Sequence, residues 1–293
     1  MKVSLEKQGD DLCFFLKPED DDIEHLDRTR IGLAKNEARI NLGGLEIEDI
    51  HPDLIGLTTV LMCHQFIGRE LHLPARVSER FHEVANSVLS KYKIVSETDS
   101  SLQSNAAPVR SRPGLAFSGG ADSTAALAVM PGNTVPVFMN RPMRENSMYD
   151  SDAPIKNCEL LRQIGYDVRI IGSDLEFLRE PVGFPSDLAH AIPLILLSGE
   201  MGIGSIAFGT ILESAYGIGH EHYIDYPNGS HKRFYGTLLS AAGLDISLPV
   251  GGVSEIGTAK IVEASPFIDL AQSCIRGKKG TPCMMCWKCF RKE

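Results

Sequence analysis

The chain has 293 residues, 43% of them hydrophobic, and a formal net charge of −9. That length and apolar content allow one large or two smaller packed units. The acidic balance argues against nucleic acid or an anionic membrane as partner, and no apolar run reaches the roughly 20 residues of a membrane helix.

The opening residues, Met1 to Asp11, lack the apolar core of a signal peptide, so a cytoplasmic protein is expected. Three short stretches, Lys2 to Leu5, Asp11 to Leu16 and Arg39 to Leu42, predict two or three strands. Pro52 to Phe66 predicts a mostly buried helix with proline in its first turn, and Ser78 to Leu89 an amphipathic helix with a serine N-cap. Residues 1–105 are thus expected to form a small α+β domain. No motif in it assigns chemistry, and it is a candidate surface for a protein partner or a second copy of the chain. The polar, serine-rich stretch Glu97 to Arg112 predicts a linker. An α/β domain over 113–270 and a cysteine-rich segment over 271–293 are expected to follow.

The α/β domain opens on Leu115-Ala116-Phe117-Ser118-Gly119-Gly120-Ala121-Asp122-Ser123-Thr124. The apolar run Gly114 to Phe117 reads as a buried strand, Ser118-Gly119-Gly120 as a tight turn, and Ala121 to Met130 as a helix. Such a strand, glycine turn and helix N-terminus make an anion cradle. The glycines let backbone approach a phosphate, and the first helical N–H groups have no intrahelical partner. Ser118 and Ser123 can donate hydroxyl hydrogen bonds. A carboxylate beside phosphate repels it, so Asp122 is read as aimed at Mg²⁺ or at capping N–H groups. The pattern is not the Walker P-loop, which needs G-x-x-x-x-G-K-[ST].

Further strands are predicted at Thr134 to Asn140, Asp167 to Gly172 and Ser205 to Gly209. Helices are predicted at Asp150 to Ile164 and at Ser186 to Met201, the latter kinked or broken by Pro193. This alternation implies a parallel sheet covered on both faces, with ligands at the strands' C-terminal edge. Asn140, Ser173, Asp174, Gly209 and Thr210 should lie there. The polar stretch Ile211 to Arg233 should overhang that edge, with Glu213 and Tyr216 as candidate substrate-reading residues; Glu213 equally suits a helix-capping role or a pair with Arg233. His220, Glu221 and His222 have a spacing that only weakly suggests a metal.

Cys13, Cys63 and Cys158 are scattered and read as buried apolar residues, whereas Cys274, Cys283, Cys286 and Cys289 form the pattern C-x8-C-x2-C-x2-C. Four thiolates suit a closed tetrahedral Zn²⁺ site. An iron–sulfur cluster or oxidised pairs are the alternatives.

The S-G-G-x-D-S pattern of Ser118 to Ser123 is the signature of the PP-loop ATP pyrophosphatases. Together with the cysteine pattern it resembles the 7-cyano-7-deazaguanine synthase family, over about Gly114 to Arg291. The resemblance implies an adenine nucleotide alpha hydrolase-like, Rossmann-like fold, a C-terminal zinc knuckle, and ATP, Mg²⁺ and Zn²⁺ as cofactors. It implies adenylation of a small carboxylate, 7-carboxy-7-deazaguanine in that family, with release of pyrophosphate. Attack by an amine donor and formation of an amide or nitrile would follow. Phe117, Ser118, Gly119, Gly120, Asp122, Ser123, Asn140 and Gly209 are the nucleotide-binding candidates; Ser118, Asp122 and Ser123 are also the catalytic ones. Glu213-Ser214-Ala215-Tyr216-Gly217 matches the family's substrate loop loosely, and Ser254-Glu255 stands where the family has a Thr-Lys pair. Lys260 or Arg233 is a candidate substitute for that lysine. Residues 1–105 have no counterpart in the stand-alone enzyme. The chain stops four residues after its last cysteine, where a closing helix is expected. Rival readings are another PP-loop amidating or thiolating enzyme, and a nucleotide-binding module without turnover.

Overall fold

The computed structural model describes residues 1–22, 31–89, 91–144, 149–216 and 231–292. Strands β1 (Lys2–Gln8) and β2 (Asp11–Lys17) form an antiparallel hairpin, registered from Lys2↔Lys17 to Gln8↔Asp11. Gly9, at φ +63°, supplies the left-handed backbone that so short a turn requires. After β3 (Gly32–Leu33), β4 (Glu37–Asn41) adds antiparallel to β2. Helix α1 (Pro52–Cys63) follows, with His51 as N-cap accepting from the Asp53 N–H at 3.1 Å. Every residue from Asp53 to Cys63 is buried, as a helix largely apolar all round must be, and the buried Asp53 carboxylate accepts from the Ser78 amide and hydroxyl. Strand β5 (Glu70–His72), helix α2 (Glu79–Val88) and strand β6 (Lys93–Val95) complete the N-terminal part. Its sheet runs β4-β2-β1-β5-β6, with β5 and β6 added parallel to β1. The expected strands and helices are present; β5 and β6, at three residues each, are too short to leave an alternation in the sequence.

The remaining elements are β7 (Arg112–Ala116), α3 (Ala121–Val129), β8 (Val135–Asn140), α4 (Asp152–Gln163), β9 (Arg169–Gly172), β10 (Arg179–Glu180), α5 (Ile192–Leu196), β11 (Ile203–Phe208), α6 (Leu212–Ala215), α7 (Thr237–Ala241), β12 (Asp245–Ser247), α8 (Glu255–Glu263) and α9 (Trp287–Lys292). Five strands pair in parallel in the order β12-β11-β7-β8-β9. The chain moves outward from β7 to β9 and then crosses back to β11. The order therefore reverses between β7 and β11, and a crevice opens outside the C-terminal ends of those strands. The helix expected over Ser186 to Met201 is much shorter. A 3₁₀ turn at Ala189–Ala191 leads into α5, with Pro193 in its first turn. A proline there cannot donate to a preceding turn, so the residues before it stay out of the helix.

One face of the parallel sheet carries an apolar cluster that includes Leu115, Phe117, Ala125, Cys158 and Val262, contributed by the β7 edge, α3, α4 and α8. The other face belongs to a larger cluster that runs from Ala116, Ile192 and Ile206 through Leu54, Leu57 and Leu61 of α1 to Phe14 and Ile40. The core thus continues across the polar stretch Glu97 to Arg112. Helix α5 lies so close to β7 that a Cβ on Gly114 would come within 2.6 Å of Leu194. The parts are also joined by backbone pairing: β10 pairs antiparallel with β3, and Ile40 bridges Ser173. Among the described residues no helix is long and apolar enough to cross a membrane.

Candidate functional site

Strand β7 ends at the switch point and hands the chain to the Ser118-Gly119-Gly120 turn. Gly119 has φ +74°, and a Cβ there would lie 3.0 Å from Asn157 Nδ2 and 3.3 Å from Pro154 Cα. Glycine is needed both for conformation and for space. The Gly119 carbonyl accepts from Asn157 Nδ2 at 3.1 Å and from the Gln272 amide at 3.0 Å. Gly120 is the N-cap residue of α3. The hydroxyls of Ser118 and Ser123 lie 3.0 Å apart, and Ser123 also accepts from the Ser118 amide at 3.2 Å. Asp122 is held from α8: the Thr258 hydroxyl donates to its Oδ1 at 2.8 Å. Gly209, just past β11, meets the same turn. A Cβ on it would lie 2.7 Å from the Ser123 nitrogen, so only glycine lets β11 approach α3 this closely.

Two adjoining cavities open on this turn. The larger, about 630 Å³, is lined on one side by Ser118, Asp122, Ser123, Gly209 and Thr210. Arg179, Asp187, His190 and His231 line it from the other elements. The smaller, about 420 Å³, is walled by Phe117, Phe138, Met139, Tyr149 and Ile275, with Lys288 from α9. Ala116, Ser118, Phe184, Asp187 and His190 belong to both, so Ser118 stands where an apolar compartment meets a polar one. His190 sits between Phe184 and Phe208, at ring distances of 5.4 and 5.3 Å, and burial pushes it down to about 4. Burial lowers His231 as well. Both imidazoles are therefore neutral near pH 7. Burial raises Tyr149 to about 12, and the Arg141 guanidinium, paired with Glu176, lies 4.0 Å over its ring.

The turn and its flanks thus bring Phe117, Ser118, Asp122, Ser123, Gly209 and Thr210 to one crevice. Asn140, Ser173 and Asp174 line a separate recess of about 360 Å³ with Arg39 and Asn41 of the N-terminal part. The Asn140 carbonyl accepts from the Ser173 amide at 2.9 Å. Glu213 caps α8: its Oε1 accepts from the Glu255 amide at 3.3 Å, while its buried Oε2 has no partner among the described residues. Tyr216 is the half-buried C-cap residue of α6. Glu255 forms an ion pair with Arg291. His220, Glu221 and His222 lie outside the described residues. Arg179, Asp187, His190, Asn157 and Thr258 were not singled out in the sequence, because each reaches the crevice through tertiary contact and stands in no local pattern.

The four clustered cysteines converge. Their Sγ atoms all lie within 4.8 Å of one another. Cys283 and Cys289 are 3.8 Å apart, Cys274 and Cys286 4.0 Å, and Cys286 and Cys289 3.5 Å. A tetrahedral ion with metal–sulfur bonds of about 2.3 Å spaces its thiolates by about 3.8 Å. A multi-iron cluster, whose thiolates bind different irons, holds them farther apart. The donor set fits one ion. The Met285 amide holds the Cys283 thiol down at about 6, and the Cys289 amide lowers Cys286; burial pushes Cys289 up to about 12. The Cys283 amide donates to Cys274 Sγ at 3.3 Å. The loop between Cys274 and Cys283 is pinned by Gln272, which donates to the Lys278 carbonyl at 3.0 Å and accepts from the Gly280 amide at 2.9 Å.

A family described as a family of unknown function (DUF6395) matches residues 234–293, which span α7, β12, α8 and the cysteine cluster. No curated protein matches the chain. Among solved structures, the U34-tRNA thiolase NcsA from Methanococcus maripaludis, with its [4Fe-4S] cluster, is similar at 15% identity and a TM-score of 0.37, over 73% of this chain and 68% of that one.

Proposed function

We propose that the protein is a PP-loop ATP pyrophosphatase that adenylates a small carboxylic acid. The observation that carries this reading is the Ser118-Gly119-Gly120 turn, with Gly119 in the left-handed region and the N-terminus of α3 behind it, at the junction of an apolar and a polar cavity. The smaller cavity suits adenine, between Phe117, Phe138 and Met139. The turn suits the phosphates, which take hydrogen bonds from backbone N–H groups, Ser118 and Ser123. Asp122, oriented by Thr258, would hold Mg²⁺, which supplies charge neutralisation for the phosphates. The acid occupies the rest of the larger cavity, and its carboxylate attacks the α-phosphorus in line while the α–β phosphoanhydride bond breaks. Positioning and charge stabilisation carry the rate. An amine then displaces AMP from the acyl-adenylate to give an amide; where the amine is ammonia, a second ATP adenylates the oxygen of the primary amide with release of pyrophosphate, and loss of AMP and the nitrogen's protons gives the nitrile. The acid of the resembled family, 7-carboxy-7-deazaguanine, with ammonia, is the first pair to test.

The cysteine cluster is read as a structural Zn²⁺ site of Cys274, Cys283, Cys286 and Cys289. Its sulfur spacing and its closed set of four thiolates support zinc. A thiolating PP-loop enzyme fits the same turn equally; Cys158, buried on α4 with its thiol pushed up to about 12, would not be its nucleophile.

A second reading, nucleotide binding without turnover, is favoured by Glu255. It stands where the resembled family has a lysine, and its ion pair with Arg291 fixes negative charge at the start of α8. Pyrophosphate release from ATP, measured with Mg²⁺ over a panel of carboxylic acids and ammonia, separates the two. Acid-dependent release supports adenylation. ATP binding with no release for any acid supports the second reading.

A further inference from the structure

The cradle consists of hydroxyls, backbone amides and one carboxylate, and carries no positive charge of its own. Breaking the α–β bond of ATP moves charge onto the departing pyrophosphate, so a cation facing that group stabilises the transition state. His190 and His231 do not serve, since burial keeps them neutral. Among the described residues that line the larger cavity, Arg179 alone is a permanent cation. It lines the same cavity as Ser118, Asp122 and Ser123. Its Nη1 donates to the Phe184 carbonyl at 3.0 Å, and its Nε has no partner among the described residues. The guanidinium is thus fixed at one nitrogen and retains donors for an anion.

Arg179 stands outside the parallel sheet, on the connection that leaves β9, and the N-terminal part holds that connection. Arg179 pairs with Leu33 and Glu180 with Gly32, and the Ala34 amide donates to the Leu178 carbonyl at 2.7 Å. Upstream, Asp174 Oδ1 accepts from the Arg39 amide at 2.7 Å, and its other oxygen is paired with Lys35. The Asp174 amide donates in turn to the Arg39 carbonyl at 3.2 Å. The connection from Asp174 to Glu180 is therefore anchored at both ends to residues 32–39.

We propose that Arg179 forms a pyrophosphate subsite, binding the β- and γ-phosphates of ATP and then the released pyrophosphate, and that the N-terminal part serves the reaction by positioning this guanidinium. The proposal rests on the ATP pyrophosphatase reading. It gives residues 32–39 a task at a crevice whose other walls come from the α/β part.

The test is equilibrium binding of ATP, AMP and inorganic pyrophosphate in Mg²⁺ to the whole chain. Arg179→Gln is expected to weaken pyrophosphate and ATP by about tenfold or more and to leave AMP unchanged, since one charge-assisted contact is lost. Arg179→Lys is expected to fall between Gln and wild type, because charge remains without the fork. Asp174→Ala, remote from the cradle, is expected to weaken pyrophosphate less than Arg179→Gln, and the double variant to be no weaker than Arg179→Gln alone. Equal losses for AMP and pyrophosphate would mark Arg179 as merely structural and overturn the subsite. Unchanged pyrophosphate affinity in Arg179→Gln overturns it too. A fully additive double variant overturns the positioning role. Failure of the wild type to bind either nucleotide sinks the ATP reading itself, and the subsite with it.

Discussion

The Ser273 hydroxyl accepts the Ala121 amide at 3.1 Å. Ser273 immediately precedes the metal ligand candidate Cys274, and Ala121 opens α3, the helix proposed to address phosphate. The adjacent Gln272 amide binds the Gly119 carbonyl at 3.0 Å. The cysteine centre and the glycine turn are therefore two ends of one hydrogen-bonded segment, and loss of the ion should loosen the turn as well as the terminus.

Metal analysis is expected to find about one zinc per chain. Cys286→Ser, or chelation, is expected to lower Tm by at least about 5 °C and to weaken ATP binding, read by calorimetry. Cys63→Ser, which alters a thiol buried in the core far from the cluster, should leave the zinc content unchanged. Iron in place of zinc, or full ATP affinity in metal-free protein, would refute this coupling.

Ser118→Ala and Asp122→Ala are expected to reduce pyrophosphate release by about a hundredfold or more while the circular dichroism spectrum and Tm stay near wild type. Ser118 is exposed and Asp122 half-buried, so neither side chain fills the core, although Asp122→Ala gives up the bond from Thr258. Gly119→Ala should behave differently. It forces an alanine into φ +74° against Asn157 and is expected to cost about 1–2 kcal/mol of stability in denaturant titration, besides activity. Turnover surviving in Ser118→Ala would remove the cradle's assigned role.

The cradle and the cysteine cluster were legible in the sequence because each is local. A strand, a glycine turn and a helix start lie within ten residues, and the ligand spacing of a metal knuckle is a property of a short loop. The opposite wall was not legible. Asp187 and His190 fall in a stretch with helical composition, and only the break before Pro193 leaves them facing the cavity. Asn140 and Asp174 do lie at the C-terminal edge expected of them. The N-terminal β4, however, abuts that end of the sheet, through Ile40 and Ser173, and encloses them in a different recess. Nothing in the residues around Asn140 announces which foreign strand will cover it. The buried position of α1 was readable from its composition, but the helices it packs against, α5 and α7, were not.

Stability is expected to fall on acidification between pH 6.5 and 4. Burial pushes both His64 and His190 from their ordinary 6.5 down to about 4. In that window the unfolded chain binds protons that the native state refuses, so stability is complete above pH 6.5 and drains as the pH drops toward 4. At roughly 1.4 kcal/mol per pH unit for each fully linked histidine, the loss from pH 7 to 5 is about 1–2 kcal/mol apiece. His64→Phe keeps the ring packed on Phe234, now 4.6 Å away, and removes the titration. Urea titrations of this variant at the two pH values should show a shallower dependence than wild type, and an identical slope would exclude His64 as a source.

Glu255 tests whether a lysine, which the resembled family has at this position, would serve in this chain. It opens α8, where a carboxylate is favourable to the helix dipole, and it is paired with Arg291 on α9, two residues after Cys289. Its amide is also the donor that Glu213 caps, at 3.3 Å. Glu255→Lys would set two cations against each other and place a positive charge at a helix N-terminus. It is expected to lower stability by about 1 kcal/mol, the scale of a partly exposed pair, and to lower rather than raise pyrophosphate release. The swap Glu255→Lys with Arg291→Glu restores attraction and should recover most of the lost stability. If Glu255→Lys alone instead increases pyrophosphate release, the carboxylate is a brake on turnover, and the reading of a nucleotide-binding module without full activity gains its direct support. Glu213→Gln refines the same corner: its amide oxygen still caps the Glu255 N–H, so ATP binding and stability should hold. Glu213 lines neither cavity, so a fall in binding of 7-carboxy-7-deazaguanine alone would mark it as a residue that positions the acid's site from behind.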